Sequence, residues 1–162
     1  MKKCIELSFL CLQHPLQVIT AQDFSLIQGL PGTGKTSTIA FVTRLLVARG
    51  KRVLITSYTH GAVDNLMIKL MKSGVGNINP NGDVDMVRVG RESQCHPLVQ
   101  DLLVTKIAKL KDQDNDQFSM KSLRTALSNA RIVGCSALTG MLLFVLVFVV
   151  HVCVIPFVPG IY

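Results

Sequence analysis

The sequence of 162 residues lacks any C-x-x-C pair, any internal repeat and any dense run of basic residues. Its five cysteines are dispersed, so neither a disulfide framework nor a zinc-ligand set is indicated, and we expect a reducing compartment. The net charge of +7 fits a nucleic-acid partner, but scattered lysines and arginines equally describe an ordinary basic surface. Cys95 and His96 are adjacent, which is poor geometry for two ligands of one metal ion. The length suffices for one α/β domain.

No Asp, Glu, Lys or Arg follows Arg131, and residues 141–158 are apolar apart from His151. Two explanations stay open. The residues from Gly140 onward are a translated intron, since the codons there can contain a splice-donor-like sequence, or the apolar run is a tail anchor of just bilayer length. His151 and Pro156 argue against an anchor. The chain also begins with an apolar stretch, but polar residues interrupt it and no cleavage site follows, so we expect no signal peptide.

The most informative feature present is a complete G-x-x-x-x-G-K-T segment, Gly29-Leu30-Pro31-Gly32-Thr33-Gly34-Lys35-Thr36. Such a loop surrounds the phosphates of a nucleotide with backbone N–H groups, and only glycine permits that close approach. Lys35 would reach the β- and γ-phosphates, Thr36 would hold Mg²⁺, and the following helix would point its positive end at the anion. We take Gly29 to Ser37 as the nucleotide-binding segment and Lys35 and Thr36 as its catalytic residues; a glycine-rich surface turn is the alternative.

Strands and helices alternate along the rest of the chain. The patterns predict strands at 24–28, 51–57, 86–90 and 131–136, and helices after the loop and at 60–73, 97–111 and 119–129. Gly50 stands where a helix C-terminal cap belongs, and Thr59 is a candidate N-cap. This alternation predicts a parallel sheet covered by helices on both faces, with the ligand at the carboxyl ends of the strands.

Several segments together resemble superfamily 1 helicases, closest to the DNA replication ATP-dependent helicase/nuclease family and its relatives, the nonsense-mediated-decay RNA helicases. Residues 54–65, Leu-Ile-Thr-Ser-Tyr-Thr-His-Gly-Ala-Val-Asp-Asn, resemble motif Ia. The phosphate loop has the proline and glycines of motif I, Arg88-Val89-Gly90 followed by His96-Pro97 resembles an R-x-G and H-P segment, and residues 131–140 resemble motif Ic. The resemblance runs from about Val18 to Gly140.

The resemblance implies a RecA-like domain that binds ATP and moves along single-stranded DNA in the nucleus, with RNA as a possible track. It places motifs Ia and Ic on the nucleic-acid face, which gives as candidate contacts Ser57, Tyr58, Thr59, His60 and Asn65. Hydroxyls and amides there would grip phosphates, and Tyr58 or His60 would stack on a base. Purely structural roles stay open for three of them: Thr59 only caps the helix, Tyr58 only packs against the protein, and Asn65 is a helix-surface residue.

The chain departs from the family pattern. No D-E pair of motif II follows Gly140, and neither a second RecA-like domain with arginine fingers nor an upstream nuclease domain is in this sequence. A glutamine that reads adenine should fall near Cys11, where Gln13 and Gln17 do not fit, so ATP over GTP is implied by the family only.

We therefore divide the chain into an uncertain segment at 1–17, a partial RecA-like helicase ATP-binding domain at 18–140 and an apolar tail at 141–162. The expected function is that of an ATP-binding fragment of a DNA helicase, inactive by itself, with no small-molecule substrate beyond the nucleotide. The alternative is an inert nucleotide-binding protein whose tail anchors it to a membrane. A small-molecule kinase is disfavoured, because nothing after Ser57 resembles an acceptor site.

Overall fold

The computed structural model describes residues 18, 20, 21, 32–75, 85–111, 120–137 and 153–154. Within them, α-helices cover Lys35–Ala48 (α1), His60–Lys72 (α2), Val104–Lys111 (α3) and Met120–Asn129 (α4). Strands cover Val53–Ser57 (β1), Met86–Val89 (β2), Ile132–Ser136 (β3) and Cys153–Val154 (β4). Two 3₁₀-helices, Glu92–Gln94 and Pro97–Leu102, lie between β2 and α3.

The strands form one parallel sheet in the order β2-β3-β1-β4. Along the central pair the register runs from Val53 opposite Ile132 to Ser57 opposite Ser136. All five residues of β1 and all five of β3 are buried, which is the pattern of a sheet interior rather than of a half-exposed antiparallel ribbon. The predicted parallel α/β sheet is confirmed.

Local sequence signals set the ends of α1 and α2. Gly50 adopts a φ of 73° and donates its N–H to Val47, while Lys51 donates to Leu46, so the last carbonyls of α1 are satisfied as in a glycine-terminated helix. Thr59 begins α2, since its hydroxyl accepts from the N–H of Ala62 at 3.4 Å. Both predicted caps are therefore present.

The core lies where α2 covers the sheet. The helix buries the residues that its spacing put on one face, Val63, Leu66, Met67 and Leu70. The approach is close at Gly134 of β3: a Cβ added there would lie 2.5 Å from Sδ of Met67 and 3.1 Å from Cγ1 of Val63. A Cβ at this position would therefore force the end of the Met67 side chain to shift.

The segment 97–111 differs from the single helix that we predicted. Pro97–Leu102 form a 3₁₀-helix, Leu103 is extended at φ −60° and ψ 126°, and α3 begins only at Val104. Leu103 is buried and makes an isolated parallel bridge with Arg88 of β2. The helix is interrupted because a tertiary contact with the sheet takes Leu103 out of the helical conformation.

Some predictions lie outside the described residues. These are the strand at 24–28 ahead of the phosphate loop, the loop residues Gly29, Leu30 and Pro31, the segment 1–17 and most of the apolar tail. Within the tail, Cys153–Val154 pair in parallel with Leu54 and Ile55 and extend the sheet beyond β1. In the described part of the chain no helix combines the length and the apolar character needed to cross a bilayer.

Candidate nucleotide and nucleic-acid site

The described part of the phosphate loop turns directly into α1. Gly32 and Gly34 adopt φ angles of 78° and 84°, in the left-handed region that side chains disfavour. A Cβ at Gly32 would meet nothing within 4 Å, so the backbone here borders open space. Ser37 and Thr38 donate their N–H groups to the carbonyl of Gly34 at 2.8 and 3.0 Å, which closes the first turn of the helix.

The first turn of α1 suits an anion. Its sequence is Lys-Thr-Ser-Thr, without a carboxylate, and Gly34 at the N-cap position has no side chain to offer the first amides. The helix dipole adds a partial positive charge at this end, so phosphate would be attracted here. Lys35 is half-buried, while Thr36 and Ser37 are exposed at the same end.

These residues fit a nucleotide with its magnesium ion. Gly32, Thr33 and Gly34 would surround phosphate oxygens, Lys35 would neutralise them, and the Thr36 hydroxyl would ligate Mg²⁺. Among the described residues no group of three or more His, Cys, Asp and Glu side chains is placed to hold a metal ion by itself. Magnesium bound together with the nucleotide would supply charge neutralisation on the triphosphate.

The predicted nucleic-acid residues sit around the corner between β1 and α2, but they differ in accessibility. Tyr58 is 78% exposed. Thr59 is exposed, and its hydroxyl caps α2, which was one of the two roles considered for it. Asn65 is exposed on α2. Ser57 is only 3% exposed at the end of β1, next to Ser136 of β3 in the register, so its side chain faces the protein rather than solvent.

Beneath this corner lies a buried ionic network. Arg88 of β2 is completely buried and donates from Nε to Oδ1 of Asp64 on α2 at 2.7 Å. Its Nη1 donates to the carbonyl of Val89 at 2.6 Å and of Gly134 at 3.5 Å. The second carboxylate oxygen of Asp64 accepts from the N–H of His96 at 2.8 Å. One ion pair therefore joins α2, two strands and the segment before the second 3₁₀-helix.

His60, the first residue of α2, is held by the same network. Its Nδ1 lies 3.3 Å from Nη2 of Arg88. A guanidinium has only donors, so Nδ1 must accept, and the hydrogen of a neutral imidazole then resides on Nε2. This arrangement presents His60 as a hydrogen-bond donor at the ring edge opposite Arg88, and such a donor suits a phosphate oxygen.

Neither Asp64 nor Arg88 is among the site residues predicted from the sequence. A signal was available: Asp64 stands among the apolar residues of the buried face of α2, and Arg88 stands inside the short apolar strand β2. Two opposite charges in otherwise apolar elements indicate a buried pair, since an unpaired charge is too costly to bury.

Cys95 lies beside this network and is 7% exposed. Burial raises the pKa of the Cys95 thiol above its ordinary value, and Asp64 and Glu92 act in the same direction, whereas the Arg88 guanidinium lowers it. A raised pKa favours the protonated form of the thiol, as is usual for a buried structural cysteine.

Comparison with known proteins gives matches to one family model and to several helicases. A family model described as an AAA domain matches residues 11–136, which is more than half of the chain. The matched range includes the described part of the phosphate loop, the corner between β1 and α2, and the ionic network.

Three relatives illustrate the similarity; each is called a DNA replication ATP-dependent helicase/nuclease, DNA2 or dna2. The Xenopus laevis protein is 45% identical over 95 residues, which are 59% of this chain and 8% of that protein. The Schizosaccharomyces pombe protein is 39% identical over 118 residues, or 73% and 7%. The human protein is 36% identical over 127 residues, or 77% and 10%. The chain thus spans a tenth or less of the length of these relatives.

Proposed function

The chain belongs to the AAA domain family, and we propose that it is the ATP-binding part of an ATP-dependent helicase that moves along single-stranded DNA. The observation that supports this most directly is the pair of left-handed glycines, Gly32 and Gly34, that opens into the carboxylate-free first turn of α1. The similarity to DNA replication helicase/nucleases supports the choice of a helicase among the many users of such loops. A nuclear location is part of the same proposal.

For the nucleotide, we propose that the segment from Gly29 to Ser37 holds ATP. Lys35 would neutralise the β- and γ-phosphates, and Thr36 would bind the Mg²⁺ that accompanies them. The chain contains no adjacent Asp-Glu pair that could bind magnesium and position the attacking water. Alone it would therefore bind ATP with little hydrolysis.

For the nucleic acid, we propose that the corner between β1 and α2 contacts one strand. Tyr58 would stack on a base, His60 would donate its Nε2–H to a phosphate, and Thr59 and Asn65 would add polar contacts to the backbone. Ser57 would take part through its main chain, because its side chain is buried. Contacts of this kind do not read base sequence, which suits an enzyme that moves along any strand.

Titration of the 162-residue chain with a fluorescent ATP analogue in the presence of Mg²⁺ tests the nucleotide half of the proposal. We expect saturable binding that Lys35→Ala weakens by at least tenfold. Lys51→Ala is the matched control, because Lys51 is an exposed lysine beyond the far end of α1. Equal binding by Lys35→Ala and the wild type would contradict the assignment, as would undiminished ATP-dependent unwinding by the same variant of the full-length helicase.

Anisotropy with a fluorescent oligothymidine tests the second half. We expect salt-sensitive binding of the single strand and weaker binding of a duplex of the same length, since phosphate contacts release counterions and stacking needs an unpaired base. A folded chain that binds neither form of DNA would overturn the proposal for the corner.

A further inference from the structure

A lysine from outside the phosphate loop reaches its helix. Nζ of Lys69, in the last turn of α2, donates to Oγ of Ser37 in the first turn of α1 at 2.5 Å. The two residues are 32 positions apart in the sequence, so the tertiary packing of α2 against α1 creates the contact.

The hydroxyl that Lys69 contacts lies beside the loop. A Cβ added at Gly34 would be 3.9 Å from Oγ of Ser37, so this oxygen borders the last glycine of the phosphate-binding segment. A serine hydroxyl has one donor and two acceptor positions. When Oγ accepts from Lys69, its own hydrogen remains available to a second acceptor, and the anion expected at this helix end is an acceptor.

The other end of α2 is anchored independently. The helix begins at the predicted nucleic-acid corner, where Thr59 caps it and His60 contacts Arg88. In its second turn Asp64 is tied to Arg88 by the buried ion pair. The helix α2 therefore has polar contacts at both of its ends, with Arg88 at the corner and with Ser37 of α1.

We propose that Lys69 is a positioning residue for the triphosphate: it orients the Ser37 hydroxyl toward the bound phosphates. The proposal rests on the function proposed above, because it takes the occupant of the loop to be ATP. With this role for Lys69, the helix α2 would contact the nucleotide site through Ser37 at one end and the proposed strand-binding corner at the other.

The test measures affinity of the full chain for a fluorescent ATP analogue with Mg²⁺, using the wild type, Lys69→Met, Ser37→Ala and the double variant. Because Lys69 is exposed, we expect Lys69→Met to fold normally, with an unchanged thermal midpoint. We expect it to weaken binding about fivefold, as loss of one exposed charge-assisted contact would. Lys69→Arg should restore most of the affinity. Lys72→Met is the control, since Lys72 is an exposed lysine in the same helical turn.

The double variant separates positioning from a general effect of charge. If Lys69 acts through Ser37, the two losses of affinity should not add. The affinity of the double variant for the ATP analogue should then lie within about twofold of that of the weaker-binding single variant. Fully additive losses, or a Lys69→Met chain with wild-type affinity, would overturn the inference while leaving the proposed function intact. Absence of ATP binding by the wild type itself would overturn both.

Discussion

Nε of Arg88 lies 2.7 Å from Oδ1 of Asp64, and neither side chain is more than 3% exposed. The pair connects the middle of α2 to the strand β2. Its other hydrogen bonds reach the backbone of Val89 in the same strand, of Gly134 in β3 and of His96. Both residues belong to segments that resemble helicase motifs. These segments therefore stabilise the protein beneath the exposed corner, in addition to any contact that they make with a ligand.

Breaking this pair on one side should destabilise the chain strongly. Arg88→Met leaves the Asp64 carboxylate buried without its partner, and we expect the free energy of unfolding to fall by about 3–5 kcal/mol in urea titrations. The matched control is the double variant Arg88→Met with Asp64→Leu, which removes both charges. It should recover most of the loss, and a double variant as unstable as the single one would argue against the pair as the cause.

The close contact between β3 and α2 predicts a second effect. Gly134→Ala places a Cβ against Met67 and Val63, both fully buried, and should cost about 1–3 kcal/mol of unfolding free energy. Gly61→Ala is the control: a Cβ there meets nothing within 4 Å, and alanine favours the helix, so stability should stay equal or rise. Adding Met67→Ala to Gly134→Ala should give a smaller loss than the two single losses added together.

The buried thiol of Cys95 predicts a dependence of stability on pH. Folding raises its pKa, so the protonated thiol contributes to stability below about pH 9, its ordinary value, and this contribution is lost as the pH rises through the folded-state pKa. Between pH 8 and 10.5 we therefore expect the unfolding free energy of the wild type to fall more steeply than that of Cys95→Ala. Identical slopes would show that the Cys95 thiol does not ionise differently in the two states.

Tyr58 offers the clearest test of strand binding. Its ring is exposed, so Tyr58→Ala should leave the thermal midpoint unchanged while weakening binding of oligothymidine by about 1–3 kcal/mol, the range for one stacked base. Phe41→Ala on α1 provides a partly exposed aromatic control away from the corner. Equal losses for the two variants would mean that exposed aromatic surface in general, and not this corner, supports binding.

Features with a short-range cause were predictable. The left-handed glycine Gly50, the capping hydroxyl of Thr59 and the apolar face of α2 each depend on residues within one or two turns, and the structure contains all three. The segment after Pro97 was not predictable in the same way, because the interruption at Leu103 depends on its bridge to Arg88, 15 positions earlier in the chain.

The phosphate-loop motif, the alternation of strands and helices, and the family can all be recognised in the sequence, because each depends on local spacing or on a short motif. The long-range polar contacts, Arg88 with Asp64 beneath the corner and Lys69 with Ser37 at the loop, are visible only once the elements are packed together. The physical reason is that a buried or bridging polar contact depends on how separate elements pack, and many pairings of lysine, arginine and acidic residues are equally compatible with the same local pattern. The packing of α2 on the sheet and against α1 selects these two contacts.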